Sequence, residues 1–221
     1  MKKSICTLSF ILTFISAYSQ LMDLPGEYIR QKVVGNNLPD NVKGSPYFNE
    51  AFVTGTIFTN DNKSFKALLR YNAYNDEMQM KQNGNIIALL KFEGSRITLN
   101  GETFEVYNYT DKSGANETAY FVNLSKPGKA QLLVHKRKKY VEGTKSETTY
   151  GVDAPATFRD EISYFLYKND ELNLLKLSKK NILKSLDDKN KELNNHISDN
   201  KLKLKKDHEP YIKLIDFYNN L

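Results

Sequence analysis

Turn signals recur along this chain at short, nearly even intervals. Between them lie stretches that are brief and rich in β-branched and aromatic residues, and this rhythm constrains the fold more than any other feature. Asn83-Gly84 and Asn100-Gly101 suit two-residue hairpins, because both positions of each pair tolerate positive φ. Glu93-Gly94-Ser95, Lys126-Pro127-Gly128 and Asn169-Asp170 punctuate the rest. Strands are predicted over 52–58, 65–74, 86–92, 96–99, 103–109, 119–124, 130–141, 161–168 and 171–177. Short strands joined by short turns predict an antiparallel β-meander, either an open curved sheet or a barrel-like one, over 44–177. The abundance of Tyr and Phe, 14 and 12 residues, suits a sheet with one wet face.

Residues 44–80 hold the densest mixture of aromatic, amide and charged side chains. Alternation places Phe65, Ala67, Leu69, Tyr71 and Ala73 on one face, and Lys66, Leu68, Arg70, Asn72 and Tyr74 on the other. After Asn75-Asp76 the apolar parity shifts to Met78 and Met80, which a bulge or a tight turn produces. Asp76 and Glu77 are adjacent. On one strand they would point to opposite faces, so they are read as a turn rather than as an acid–base pair. Arg70, Asn72 and Tyr74 are the candidate ligand-binding residues, on the condition that their face looks into a concavity.

At Ser178, a helix N-cap, the pattern becomes helical. Ile182, Leu183 and Leu186, then Leu193 and Ile197, form apolar stripes. A last helix is capped by Asp207, carries Pro210 in its first turn, and shows an apolar face of Tyr211, Leu214, Ile215 and Tyr218. The chain over 178–221 is therefore expected as a small helical segment docked on the β domain, since helices this short are unstable alone. The fold class is α+β.

At the other end, Lys2 and Lys3, the apolar run over 5–15 and the small residues Ala17 and Ser19 read residues 1–19 as a secretory signal peptide. The run falls short of the roughly 20 residues that span a bilayer. Residues 20–43, with Pro25, Gly26, Gly35 and Pro39, read as an irregular lead-in. The single cysteine, Cys6, lies inside the signal, too early for lipid attachment. The expected product is exported, periplasmic or extracellular, not a lipoprotein, and without a disulfide or thiol nucleophile.

The net charge is +6, and residues 126–145 carry seven Lys or Arg against one Glu. Lys136, Arg137, Lys138 and Lys139 are the sharpest cluster. On a strand they alternate between faces, which suits an overhanging hairpin where lysines block strand addition. They are also the candidate contacts to an anionic lipid or glycan surface, a better partner than nucleic acid for an exported chain. His135, His196 and His208 have no metal-ligand spacing, and no G-x-S-x-G, phosphate-loop or dinucleotide pattern occurs. No catalytic residue, metal or cofactor is assigned.

The signal with its cut before Gln20, the block running from GSPYFNEAFVTGTIF through LLRYNAYNDEMQM, and the tail ILKSLDDKNKELNNHISDNKLKLKKDHEPYIKLIDFYN cover about half the chain. In these the chain resembles uncharacterised secreted proteins of Bacteroidota-type bacteria. The resemblance implies an exported β-meander with helices and no known activity. The expected function is a non-enzymatic binding or interaction protein of the periplasm or outer envelope. The alternatives are a lipid-carrying or envelope-maintenance half-barrel and, third, a carbohydrate-acting enzyme.

Overall fold

A computed structural model describes residues 24, 26–30, 42–61, 63–111, 113–145 and 153–221. The stretch expected as a signal peptide and most of the expected lead-in lie outside them. Among the described residues eleven strands form one antiparallel sheet: β1 (Ile29–Arg30), β2 (Val53–Phe58), β3 (Ser64–Asn72), β4 (Glu77–Gln82), β5 (Asn85–Leu89), β6 (Arg96–Leu99), β7 (Glu102–Thr110), β8 (Asn116–Asn123), β9 (Ala130–Val141), β10 (Thr157–Lys168) and β11 (Glu171–Leu174). Their order is β1-β5-β4-β3-β2-β6-β7-β8-β9-β10-β11. Two meanders thus join where β6 pairs with β2 instead of with β5, and the whole sheet curves into a half-barrel.

Local chemistry explains the turns. Asn83 and Gly84 (φ 49° and 78°), Asn100 and Gly101 (53° and 78°), and Asn169 and Asp170 (54° and 60°) each link directly paired strand ends with two left-handed residues. In β2, a Cβ on Gly55 would stand 2.7 Å from the Thr98 carbonyl oxygen and 2.8 Å from Leu69 Cδ1, so only glycine lets β2 fit between β3 and β6. The parity change after Asn75-Asp76 is a tight turn: β3 and β4 pair up to Asn72 and Glu77, and residues 73–76 connect them. β10 starts at Thr157, earlier than its hydrophobic pattern indicates. Arg159 and Asp160 look like loop, but Asp160 and the following Glu161 face Lys138 and Arg137 of β9, where opposite charges across strands favour pairing.

The sheet is lined on both faces. Its inner curve buries Leu69, Met78, Ile97, Leu99, Phe104 and Tyr120, contributed by several strands. The reverse face of β7 to β11 buries Ala119, Phe121, Leu133 and Phe165 beneath Tyr107, Tyr109, Tyr167 and Leu172. β8 supplies both, with Tyr120 and Val122 on one side and Ala119 and Phe121 on the other.

The helices are α1 (Lys179–Ser185), α2 (Asn190–Asp199) and α3 (Glu209–Asn219). None among the described residues is long and apolar enough to cross a membrane. Ser178 caps α1 by accepting from Asn181 N at 3.2 Å. Asp207 accepts from Glu209 N at 3.2 Å, one residue before the His208 that flanks α3. The helical stripes pack on Ala130, Leu132, Leu166 and Leu175. Asn219 fastens α3 to the sheet: its amide accepts from Ala130 N (2.8 Å) and donates to Ala130 O (2.9 Å), as a neighbouring strand would. A Cβ on Gly128 would collide with that amide.

Candidate functional site

The site grows from a gap in the sheet. β8 and β9 are opposed at Val122 with Val134 and Asn123 with Leu133, and Leu124 N donates to Leu132 O (2.9 Å); beyond Val134 β9 and β10 continue as an overhanging hairpin. The β3–β4 turn enters the wedge and completes the open edge of β9. Lys138 N donates to Ala73 O (3.0 Å), and the Tyr71 hydroxyl oxygen lies 3.1 Å from Lys136 O. Arg137 reaches the same turn, donating from Nε to Ala73 O (2.9 Å) and from Nη2 to Tyr74 O (2.7 Å).

At the turn's end Asp76, in the left-handed region (φ 54°), buries its carboxylate at 2% exposure. Asp tolerates this conformation better than most residues. Its oxygens accept from the Tyr71 hydroxyl (2.6 Å) and Lys91 Nζ (2.5 Å), and lie 3.4 Å from Tyr120 N. His135 Nε2 stands 3.6 Å from Oδ1, longer than a hydrogen bond. Lys91 also donates to Thr118 O at 2.9 Å. Burial alone would push the Asp76 carboxyl up, but the His135 ring and the Lys91 ammonium outweigh it and hold the group below the usual carboxylate range. Burial first, and then the Asp76 charge, pushes the Tyr71 phenol well above its ordinary value, so it stays a donor.

His135 separates this network from a cleft of about 330 Å³ on the reverse face of the sheet. The cross-strand pairs His135 with Ser163 and Arg137 with Glu161 form its polar wall, and Phe165 and Leu174 its apolar part. Tyr109, Thr110 and Asp111 come from the end of β7 and the loop behind it. The rings of Phe121 (4.9 Å between centroids) and Tyr109 (5.7 Å) hold the imidazole. Asp111 is ionised: Ser113 and the Ala115 backbone N–H donate to it and lower its proton affinity.

A wider hollow of about 520 Å³ lies at the far end of the same face, by Arg96, Glu105, Tyr107 and Tyr167. Its charges have partners already: Glu105 accepts from the Tyr107 hydroxyl (2.7 Å) and Arg96 covers the Phe58 ring at 4.7 Å.

The residues expected to bind a ligand serve the protein's own contacts. Arg70 is sandwiched by the rings of Tyr47 (3.9 Å) and Phe52 (4.3 Å), and donates to Gln79 Oε1 and Glu50 O. Asn72 is buried and accepts from Tyr74 N (3.1 Å) and Asn75 N (3.2 Å), fixing the turn. Tyr74 packs edge-on against Phe158 at 5.3 Å. Of these three, Arg70 alone borders a hollow, of about 50 Å³.

The basic cluster divides by strand alternation. Lys136 pairs with Glu102, and Lys138 with Asp160 (2.6 Å), on one face; both ammonium groups approach the Phe48 ring. Arg137 faces the cleft, and Lys139 is exposed. The partnership of Asp76, Lys91 and His135 has no sequence signal, because it joins a turn, a strand and a loop that are remote along the chain.

No protein-family model matches this chain, and no curated protein or solved structure is significantly similar to it.

Proposed function

We propose that this is an exported, non-enzymatic binding protein of the periplasm or outer envelope, and that the cleft beside His135 and Arg137 holds a small ligand. Export is read from the N-terminal pattern of Lys2, Lys3, Ala17 and Ser19. One observation carries the binding role. A concave, partly apolar cleft has its polar groups fixed on paired strands, with Arg137 anchored by two backbone carbonyls. Such preorganisation lowers the ordering cost of binding. The lipid-carrier alternative has less support, because the inner curve is filled by Leu69, Met78, Ile97 and Tyr120. A glycosidase role for Asp76 has less still, because its carboxylate is enclosed by its partners.

The test is a thermal-shift screen of small metabolites on the purified mature protein and on Leu174→Trp. Leu174 is 53% exposed at the cleft, so a larger ring there fills the opening without disturbing the core. A compound that stabilises the wild type and not the variant supports the reading. The absence of any stabilising compound, or equal stabilisation of both proteins, overturns it.

A further inference from the structure

The cleft carries two basic side chains and two carboxylates within one small volume, and this pairing of signs is informative. Arg137 and His135 lie on β9; Glu161 lies on β10, directly across from Arg137, and Asp111 follows β7. A simple anion entering here meets Glu161 and Asp111 as well as the basic groups, and a simple cation meets Arg137. A neutral apolar molecule leaves all of these groups desolvated without a partner, which is costly. A ligand bearing both charges satisfies both sets.

The remaining lining sets its third part. Phe165 and Leu174 offer an apolar surface, with the Ser163 hydroxyl between them and the charged pair. The volume, about 330 Å³, is near the lower end of the range of roughly 300–1,000 Å³ typical of ligand sites. It suits a compact molecule better than a long chain.

Resting on the binding role proposed above, we infer that the cleft selects an amino-acid-like zwitterion with an apolar side chain, of single-residue or dipeptide size. Its carboxylate meets Arg137 and His135. Its ammonium group meets Glu161 and Asp111, and its side chain covers Phe165 and Leu174. Arg137 suits the carboxylate end because its guanidinium is oriented by Ala73 O and Tyr74 O before any ligand arrives.

Isothermal titration with L-leucine, L-phenylalanine and the dipeptide Leu-Leu tests the inference, against 4-methylpentanoate and isopentylamine as single-charge analogues. At least one zwitterion is expected to bind at least about tenfold tighter than either analogue. Glu161→Gln, a change at an exposed position, is expected to weaken the zwitterion by about tenfold and not to weaken the carboxylate analogue, which loses only a repulsive neighbour. Equal affinity for the zwitterion and 4-methylpentanoate overturns the inference. So does failure of all three zwitterions while the metabolite screen yields a cleft-dependent ligand of another class; the binding role then stands. If neither the screen nor the titrations detect a ligand, both fall.

Discussion

The inner and outer faces of the sheet are built from alternate residues of the same strands, yet one is filled and the other keeps a cleft. On the inner face long aliphatic and aromatic side chains from many strands converge on one centre, and the carboxylate that enters it, Asp76, has a donor for each oxygen. On the outer face rings meet edge-on over Phe121, with Tyr107, Tyr109 and Phe165 at 6.0, 5.4 and 5.0 Å. Charged residues then stand at the open end. The contrast shows where this protein tolerates charge. A charge is buried only when its partners arrive with it, and otherwise the site stays open to water.

Breaking the inner arrangement should cost most. Asp76→Ala removes the partner of Lys91, His135 and the Tyr71 hydroxyl, and is expected to lower stability by about 3–5 kcal/mol in urea denaturation. Asp76→Asn, which tolerates the same left-handed backbone, should lose less; a loss below about 1 kcal/mol for the alanine variant would mean that the network contributes little. The same group sets an acid limit. Its folded-state pKa is depressed, so its contribution is complete above the ordinary aspartate value of about 3.9 and is lost as pH falls through the lowered folded value. Denaturation midpoints measured from about pH 6 downward should therefore fall more steeply for the wild type than for Asp76→Asn.

Next in size is Leu69→Ala on the filled face, expected to cost about 2–5 kcal/mol. Its counterpart on the open face, Leu174→Ser, should change stability by no more than about 0.5 kcal/mol. Similar losses in the two would erase the contrast between the faces. Gly128→Ala displaces the Asn219 amide from Ala130 and should cost about 1–2 kcal/mol. Hydrogen exchange should then quicken at the Ala130 amide and in α3, and unchanged protection there would remove Asn219 from the account. A small effect is also expected for Lys136→Ala, about 0–1 kcal/mol, because its ion pair with Glu102 is partly exposed.

Much of the fold is legible in the sequence. The Asn-Gly and Asn-Asp hairpins, the Ser178 cap and the bounds of β9 follow from local chemistry, in which a few neighbouring residues decide the backbone. The crossing from β5 to the β2–β6 pair is not legible there, since strand order is decided by packing between remote segments. The start of β10 is hidden because its charges, compared only with their neighbours in sequence, resemble a loop. The cleft is legible only in part. Arg137 stands out as one of a run of cations, but its position on the opposite face from Lys136 and Lys138 gives it a separate role. His135 carries no signal, because its carboxylate neighbour comes from another part of the chain.

The Asp76 turn also acts as an alignment gauge. A slip of β9 by two residues preserves which side chains face each side of the sheet, so hydrophobic burial alone discriminates poorly between the correct setting and that neighbour. In the slipped setting the carboxylate would meet Leu133 or Arg137 in place of His135, while the Tyr71 hydroxyl would meet the carbonyl of Val134 or Lys138 in place of that of Lys136. The contacts that verify the alignment require β8 and β9 to be in place. A slip that brings Leu133 to the turn therefore takes a polar neighbour from a buried carboxylate, which disfavours that setting.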